Sequence, residues 1–210
     1  ICENLPDAHV DVVTSTLGLD NRIGVKYLKG GIGYGGPCLV RDSVALAALA
    51  KSNGGRALLA EATDQSNLKE VGRLAALIKS KRAQYGVVGV LGLSYKPGTD
   101  VVDASQGVLL SQALVAEGIS VVAYDPAAMD QARQILGVSV CFSESAEACI
   151  QQSDLVVITT PWKEFETLKP ETFGLSGSRV LIDCWRILEG SLVSGATIYI
   201  PLGVGPRNHD

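Results

Sequence analysis

Cys38 follows a glycine-dense run, Gly30-Gly31-Ile32-Gly33-Tyr34-Gly35-Gly36-Pro37, and opens a stretch rich in Ala and Leu. A cysteine at a helix start lies among unpaired backbone N–H groups at the positive end of the helix dipole. There a thiol can fall from about 8.5 towards roughly 3.5–7.5 and become a usable nucleophile. Asp42 comes one helical turn later on the same face, with Arg41 beside it, a spacing that suits a carboxylate orienting water or serving a proton relay. The same pair also fits a buried thiol and a first-turn aspartate that stabilises the helix, and these two residues alone leave both readings open. Five glycines between Gly30 and Gly36 favour the first, because they let backbone approach a ligand closely.

A second candidate is Lys96, in the segment Gly92-Leu93-Ser94-Tyr95-Lys96-Pro97-Gly98-Thr99-Asp100. It follows a β-branched run and precedes a helical pattern, where a cation and a helix N-terminus together suit a phosphate. The segment lacks G-x-G-x-x-G spacing and is not an evident dinucleotide loop. Asp125, at the end of the next such run, has the type and place of a ribose-binding acid, but Pro126 directly after it favours a helix cap.

Two textures of sequence must position these groups. From Ile1 to about Gln84 the pattern is helical, with apolar spacing over Asp7 to Leu17, Val40 to Ala50 and Arg56 to Lys81. From Tyr85 onward short apolar runs alternate with helical stretches. The runs are Val87 to Leu93, Ser120 to Tyr124, Val138 to Phe142, Asp154 to Thr160, Arg179 to Cys184 and Ala196 to Ile200; Ser105 to Glu117 and Ala127 to Leu136 read as helices. The expected fold class is α/β: a helical segment over residues 1–84, then a parallel sheet with helices on both faces over residues 85–210. Ligands of such sheets bind beyond the carboxyl ends of the strands, which points to Lys96, Asp125, Thr159, Thr160, Trp162, Trp185 and Arg186.

Composition removes several function classes. With 18 Lys and Arg against 22 Asp and Glu, the chain has no basic excess for a nucleic-acid backbone. No apolar run approaches the ~18 residues of a membrane span. Five scattered cysteines without close pairs exclude a zinc motif, so no metal is expected, and they suit a reducing cytoplasm. The opening at Ile1 shows neither an initiator nor a signal peptide, and the chain reads as a piece of a longer product.

Three blocks carry a resemblance: Asp20-Asn21-Arg22-Ile23-Gly24, Gly33 to Asp42, and Leu91 to Asp100. Together they resemble the UDP-glucose and GDP-mannose dehydrogenase family over nearly the whole chain. The resemblance implies that residues 1–84 are the tail of a helical, dimer-forming central domain and residues 85–210 a Rossmann-like nucleotide-sugar domain. It implies NAD as cofactor, bound mainly by a domain upstream of Ile1, and a homo-oligomer, at least a dimer. It also implies two-step oxidation of a sugar C6 alcohol to a carboxylate, through a thiohemiacetal and a thioester on Cys38, with Asp42 assisting. UDP-glucose is the favoured substrate. By position, Tyr27, Lys29, Tyr34, Gly35 and Lys96 would line the nucleotide-sugar site, and Arg22 would reach that of a neighbouring subunit.

Gly36 and Asp103 fall at cofactor positions, with Asp103 replacing the family's usual arginine. In Asp183-Cys184-Trp185-Arg186 the family often has Asp-Gly-Arg-Asn and uses the arginine on the substrate, so that either Arg186 supplies that guanidinium one place later or Trp185 replaces it. GDP-mannose or a UDP-N-acetylhexosamine as substrate, and a nucleotide-sugar-binding module without oxidation, are the alternatives.

Overall fold

The computed structural model describes residues 1–83, 86–173, 179–188 and 197–207. Its strands are β1 (Val88–Leu91), β2 (Val121–Tyr124), β3 (Cys141–Phe142), β4 (Leu155–Ile158), β5 (Arg179–Asp183) and β6 (Thr197–Pro201). They form one sheet in the order β3-β2-β1-β4-β5-β6, and every pairing is parallel. The order reverses between β1 and β4, which makes their carboxyl ends the switch point of a doubly wound sheet. Val88–Leu91 and Leu155–Ile158 are buried throughout, as expected of central strands covered on both faces.

The helices are α1 (Val10–Leu17), α2 (Leu39–Ser52), α3 (Leu58–Lys81), α4 (Gln106–Ala116), α5 (Met129–Leu136), α6 (Ala146–Gln151), α7 (Lys163–Glu166) and α8 (Pro170–Phe173). Ser105 and Ser145 cap α4 and α6, their hydroxyls accepting from Val108 N–H and Ala148 N–H. On α3 the buried residues Asn67, Leu74, Ala75 and Ile78 share one face. Three of them are apolar and join Val90, Leu110 and Leu114 in the main core, so α3 packs against α4 within that core and does not merely lead to the sheet. On the opposite face Leu91, Ile150, Val156, Ile158 and Phe165 form the second core.

The expected run Val138 to Phe142 shortens to a two-residue strand, because Gly137–Ser139 forms a 3-10 turn in which Val138 is fully exposed. The helices α6, α7 and α8 were not legible, since four to six residues hold too few turns to show a helical period. The expected boundary at Gln84 and Tyr85, and the start of the last run at Ala196, lie outside the described residues. Backbone hydrogen bonds also join the chain's first segment to the residues after β6. Val10 N–H donates to Gly203 O at 2.9 Å and Gly205 N–H to Ala8 O at 2.8 Å.

Candidate functional site

The last glycines of the loop pack against the loop that follows β1. Gly36 has φ +93°, a conformation that favours glycine, and its N–H donates to Asp103 O at 2.7 Å. A β-carbon on Gly36 would meet the Tyr95 ring, and one on Gly35 would strike Ala104 O. The tight approach joins the loop that precedes Cys38 to the loop that carries Lys96, although they belong to different halves of the sequence. Cys38 is exposed at the N-cap position of α2, and its carbonyl accepts the first helical bond from Asp42 N–H at 2.8 Å. The Asp42 carboxylate accepts from Arg41 Nε at 3.0 Å, with both side chains exposed. Among the described residues no hydrogen bond joins the Asp42 carboxylate to the Cys38 thiol.

A cleft of about 790 Å³ opens where the loops meet. It brings together five of the expected ligand residues: Tyr27, Lys29, Tyr34, Gly35 and Lys96. Leu39, the residue after Cys38, forms part of its wall, as do Tyr95 and Trp185. Lys96 Nζ stands 5.3 Å from the Tyr95 ring centroid, a cation–π contact that keeps the ammonium group at the cleft. The Tyr34 hydroxyl is buried without a partner among the described residues. Such a group is normally satisfied by ligand or water. Arg22 lies outside the cleft lining, and its guanidinium, fully solvent-facing, binds Asp20.

Arg186 does not meet the expectation of a substrate-binding guanidinium. Its side chain is buried and all five N–H donors have partners inside the chain. Nε and Nη2 donate to Asp11 at 2.7 and 2.9 Å, Nη2 also to Gly30 O, and Nη1 to Leu202 O and Cys184 O. This hydrogen bonding holds the Asp11 carboxyl below its usual range. Asp183 sets the turn, its carboxylate accepting from the N–H groups of Trp185, Arg186 and Leu188 and from the Tyr199 hydroxyl. Trp185 is therefore the residue of this motif that reaches the cleft. Its indole N–H donates to Thr159 O at 2.8 Å, and its ring packs over Gly31.

Known proteins match both halves of the chain. Residues 89–190 match the UDP binding domain of the UDP-glucose/GDP-mannose dehydrogenase family, and residues 1–69 match that family's central domain. The chain belongs to the UDP-glucose/GDP-mannose dehydrogenase family. It is similar to UDP-glucose 6-dehydrogenase TuaD of Bacillus subtilis, 37% identical over 190 residues, or 87% of this chain and 40% of that one. UDP-glucose 6-dehydrogenase AglM of Haloferax volcanii is 36% identical over 177 residues, or 84% of this chain and 41% of that one. The solved structure of a UDP-glucose dehydrogenase from Pyrobaculum islandicum matches with a TM-score of 0.83 at 30% identity, covering 94% of this chain and 44% of that one. The chain spans 40–41% of the length of these two curated relatives.

Members of this family are dehydrogenases, which raises the question of where a dinucleotide would fit. The switch point does not suit one, because Asp125 fills it. Its buried Oδ2 accepts from Leu93 N–H at 2.7 Å, Ser94 N–H at 2.9 Å, the Ser94 hydroxyl and Trp162 Nε1, while Oδ1 accepts from Ala127 and Ala128 N–H. Donors that would hold a phosphate are thus taken by the chain's own carboxylate. Asp125 is not the helix cap that Pro126 suggested, because α5 begins only at Met129, with Ala128 at its N-cap and no side-chain cap bond, and Asp125 instead closes the turn before the helix. Of the two expected cofactor residues, Gly36 has its N–H engaged by Asp103 O, and the Asp103 side chain is exposed.

Sequence reasoning passed over Asn67, Gln106 and Asp11. For Asn67 a signal was present, since it is an amide on the stripe that continues as Leu74, Ala75 and Ile78. For Gln106 and Asp11 there was none, because their partners are 72 and 175 residues away.

Proposed function

We propose that this chain is the nucleophile-bearing and nucleotide-sugar-binding portion of an NAD-dependent UDP-glucose 6-dehydrogenase. The observation that carries the reading is the shared cleft, in which Lys29, Tyr34 and Lys96 converge beside the loop that presents Cys38. Two ammonium groups suit a diphosphate, and Tyr34, Tyr95 and Trp185 offer flat apolar faces to a nucleoside or sugar. The chain's similarity to two UDP-glucose 6-dehydrogenases supports UDP-glucose as the substrate.

In this reading the Cys38 thiolate adds to the aldehyde carbon formed from the C6 alcohol, giving a thiohemiacetal. Oxidation of that carbon leaves a thioester, and attack by water releases the carboxylate and returns the thiol. Asp42 would assist the water or proton steps after its carboxylate leaves Arg41. The cofactor, when bound, accepts hydride in both oxidations. We place it on a part of the protein outside these 210 residues, a placement supported by the filled switch point and by the length of the relatives. On the same reading the chain alone turns over no substrate.

Homo-oligomer formation is supported by Val44, Leu46, Leu49, Leu58 and Leu59, exposed apolar residues along α2 and α3. No helix among the described residues is long and apolar enough to cross a membrane. We place the protein in the cytoplasm, a choice supported by five free cysteines.

Titration calorimetry of UDP and GDP into this chain, with UDP-glucose oxidation by the full-length protein, tests the reading. UDP binding tighter than GDP, and oxidation lost on Cys38→Ala, are the expected results. Tighter GDP binding would move the substrate to GDP-mannose. Oxidation that survives Cys38→Ala would remove the covalent route, and a full-length protein that binds UDP-glucose without oxidising it would be a binding module.

A further inference from the structure

Asn67 on α3 and Gln106, the first residue of α4, are both buried, and both reach the same residue of the glycine loop. Tyr34 N–H donates to Asn67 Oδ1 at 2.8 Å, and Asn67 Nδ2 donates back to Tyr34 O at 2.9 Å. Gln106 Nε2 adds a third bond to that carbonyl oxygen at 3.2 Å. Two bonds running in opposite directions between one amide side chain and one residue's backbone fix orientation as well as distance. A β-carbon on Gly33 would collide with the carboxamide oxygens of both Asn67 and Gln106, so glycine there leaves room for both side chains to reach Tyr34.

Burying two carboxamides costs free energy that only their hydrogen bonds offset. An apolar residue at position 67 would extend the stripe of Leu74, Ala75 and Ile78 without that cost. The polar pair does something an apolar pair would not: it restrains a loop whose glycines otherwise leave it free to sample many conformations.

We propose that Asn67 and Gln106 are positioning residues for the reaction. They hold the Gly33–Tyr34 backbone so that the Tyr34 ring stays in the cleft wall and Cys38, four residues on, is presented at the cleft's edge. Gln106 opens the helix that follows the Lys96 loop, so the same contact registers the nucleophile against the cationic side of the site. The role in catalysis rests on the reading of the cleft as the nucleotide-sugar site, while the restraint of the loop is measurable without it. A displacement of about 1 Å at a reacting group can lower turnover by about 100-fold, which sets the scale of the expected effect.

The test uses the full-length protein carrying Asn67→Asp, Asn67→Ala or Gln106→Ala. Asn67→Asp keeps the shape and the acceptor for Tyr34 N–H but sets a carboxylate oxygen against Tyr34 O. Amide exchange should accelerate at least ~10-fold over residues 33–38 and stay unchanged in β1 and α4. For UDP-glucose oxidation kcat should fall roughly 10- to 100-fold, with a smaller change in KM. Gln106→Ala should act in the same direction and more weakly.

Unchanged exchange over residues 33–38 would overturn the proposal. Acceleration spread evenly through the sheet would reduce the pair to a structural role and overturn it as well, as would loosened exchange with kcat intact. If the wild-type protein neither binds UDP nor oxidises UDP-glucose, the functional reading falls. The restraint is then decided by exchange and by the alkylation rate of Cys38, which should differ between wild type and Asn67→Asp.

Discussion

Asp11 and Arg186 form a two-pronged ion pair across 175 residues of sequence, with Nε to Oδ2 at 2.7 Å and Nη2 to Oδ1 at 2.9 Å. The pair fastens the first helix to the turn after β5. It also turns Arg186 away from the cleft and leaves that edge to Trp185.

Replacing Asp11 with Asn should destabilise the chain by on the order of 2 kcal/mol. That is less than a fully buried pair would lose, because Asp11 is 46% exposed while Arg186 is 3% exposed. The folded-state pKa of Asp11 is depressed below 3.8, chiefly by its hydrogen bonds to Arg186. Its contribution is therefore present above about pH 3.8 and lost as pH falls through the folded value. Melting curves from pH 7 to pH 3 should show the gap between wild type and Asp11→Asn closing at the acid end. A gap independent of pH would dissociate the stability from this ionisation.

Lys96→Ala should weaken UDP binding by about 1.5 kcal/mol, or roughly 10-fold in Kd, by removing one charge-assisted contact. Calorimetry on the two proteins measures this directly. Equal affinities would take Lys96 out of the site.

Apart from the half-buried Cys2, the thiols should separate into two classes. Cys38 and Cys141 are exposed, whereas Cys149 and Cys184 are buried. Burial pushes the Cys149 thiol up to about 12 and raises Cys184 as well. Alkylation of the native chain near pH 8 followed by peptide mapping should label Cys38 first and Cys141 next, with Cys149 and Cys184 modified only after unfolding. The exposure of Cys141 corrects its expected place in the apolar sheet, because β3 is a short edge strand. Labelling of Cys141 ahead of Cys38 would count against the helix start as an activating position.

Asp125→Ala should cost about 3–5 kcal/mol, since six donors lose their acceptor in a buried site. At this chain length that lowers Tm by roughly 10 °C. Thermal unfolding of the variant measures it, and a shift of only a degree or two would show that water replaces the carboxylate at little cost.

Local pattern determined much of this protein. Val88–Leu91 and Leu155–Ile158 are central strands because only a sheet covered on both faces holds such runs. The Asp125-Pro126 pair stated a turn after β2, though not that the helix would start only at Met129, and the glycines before Cys38 stated a close backbone approach. Those signals lie within a few residues of the groups they constrain, so sequence alone shows them. Tertiary structure decided the rest, because it depends on partners far apart in the chain. Arg186 looked available until Asp11, Gly30 and Leu202 took its donors. Gln106 looked like an ordinary helix start until it met Tyr34 O. A hydrogen bond needs its two atoms about 3 Å apart, and no spacing along the chain states which distant residue folding will bring that close.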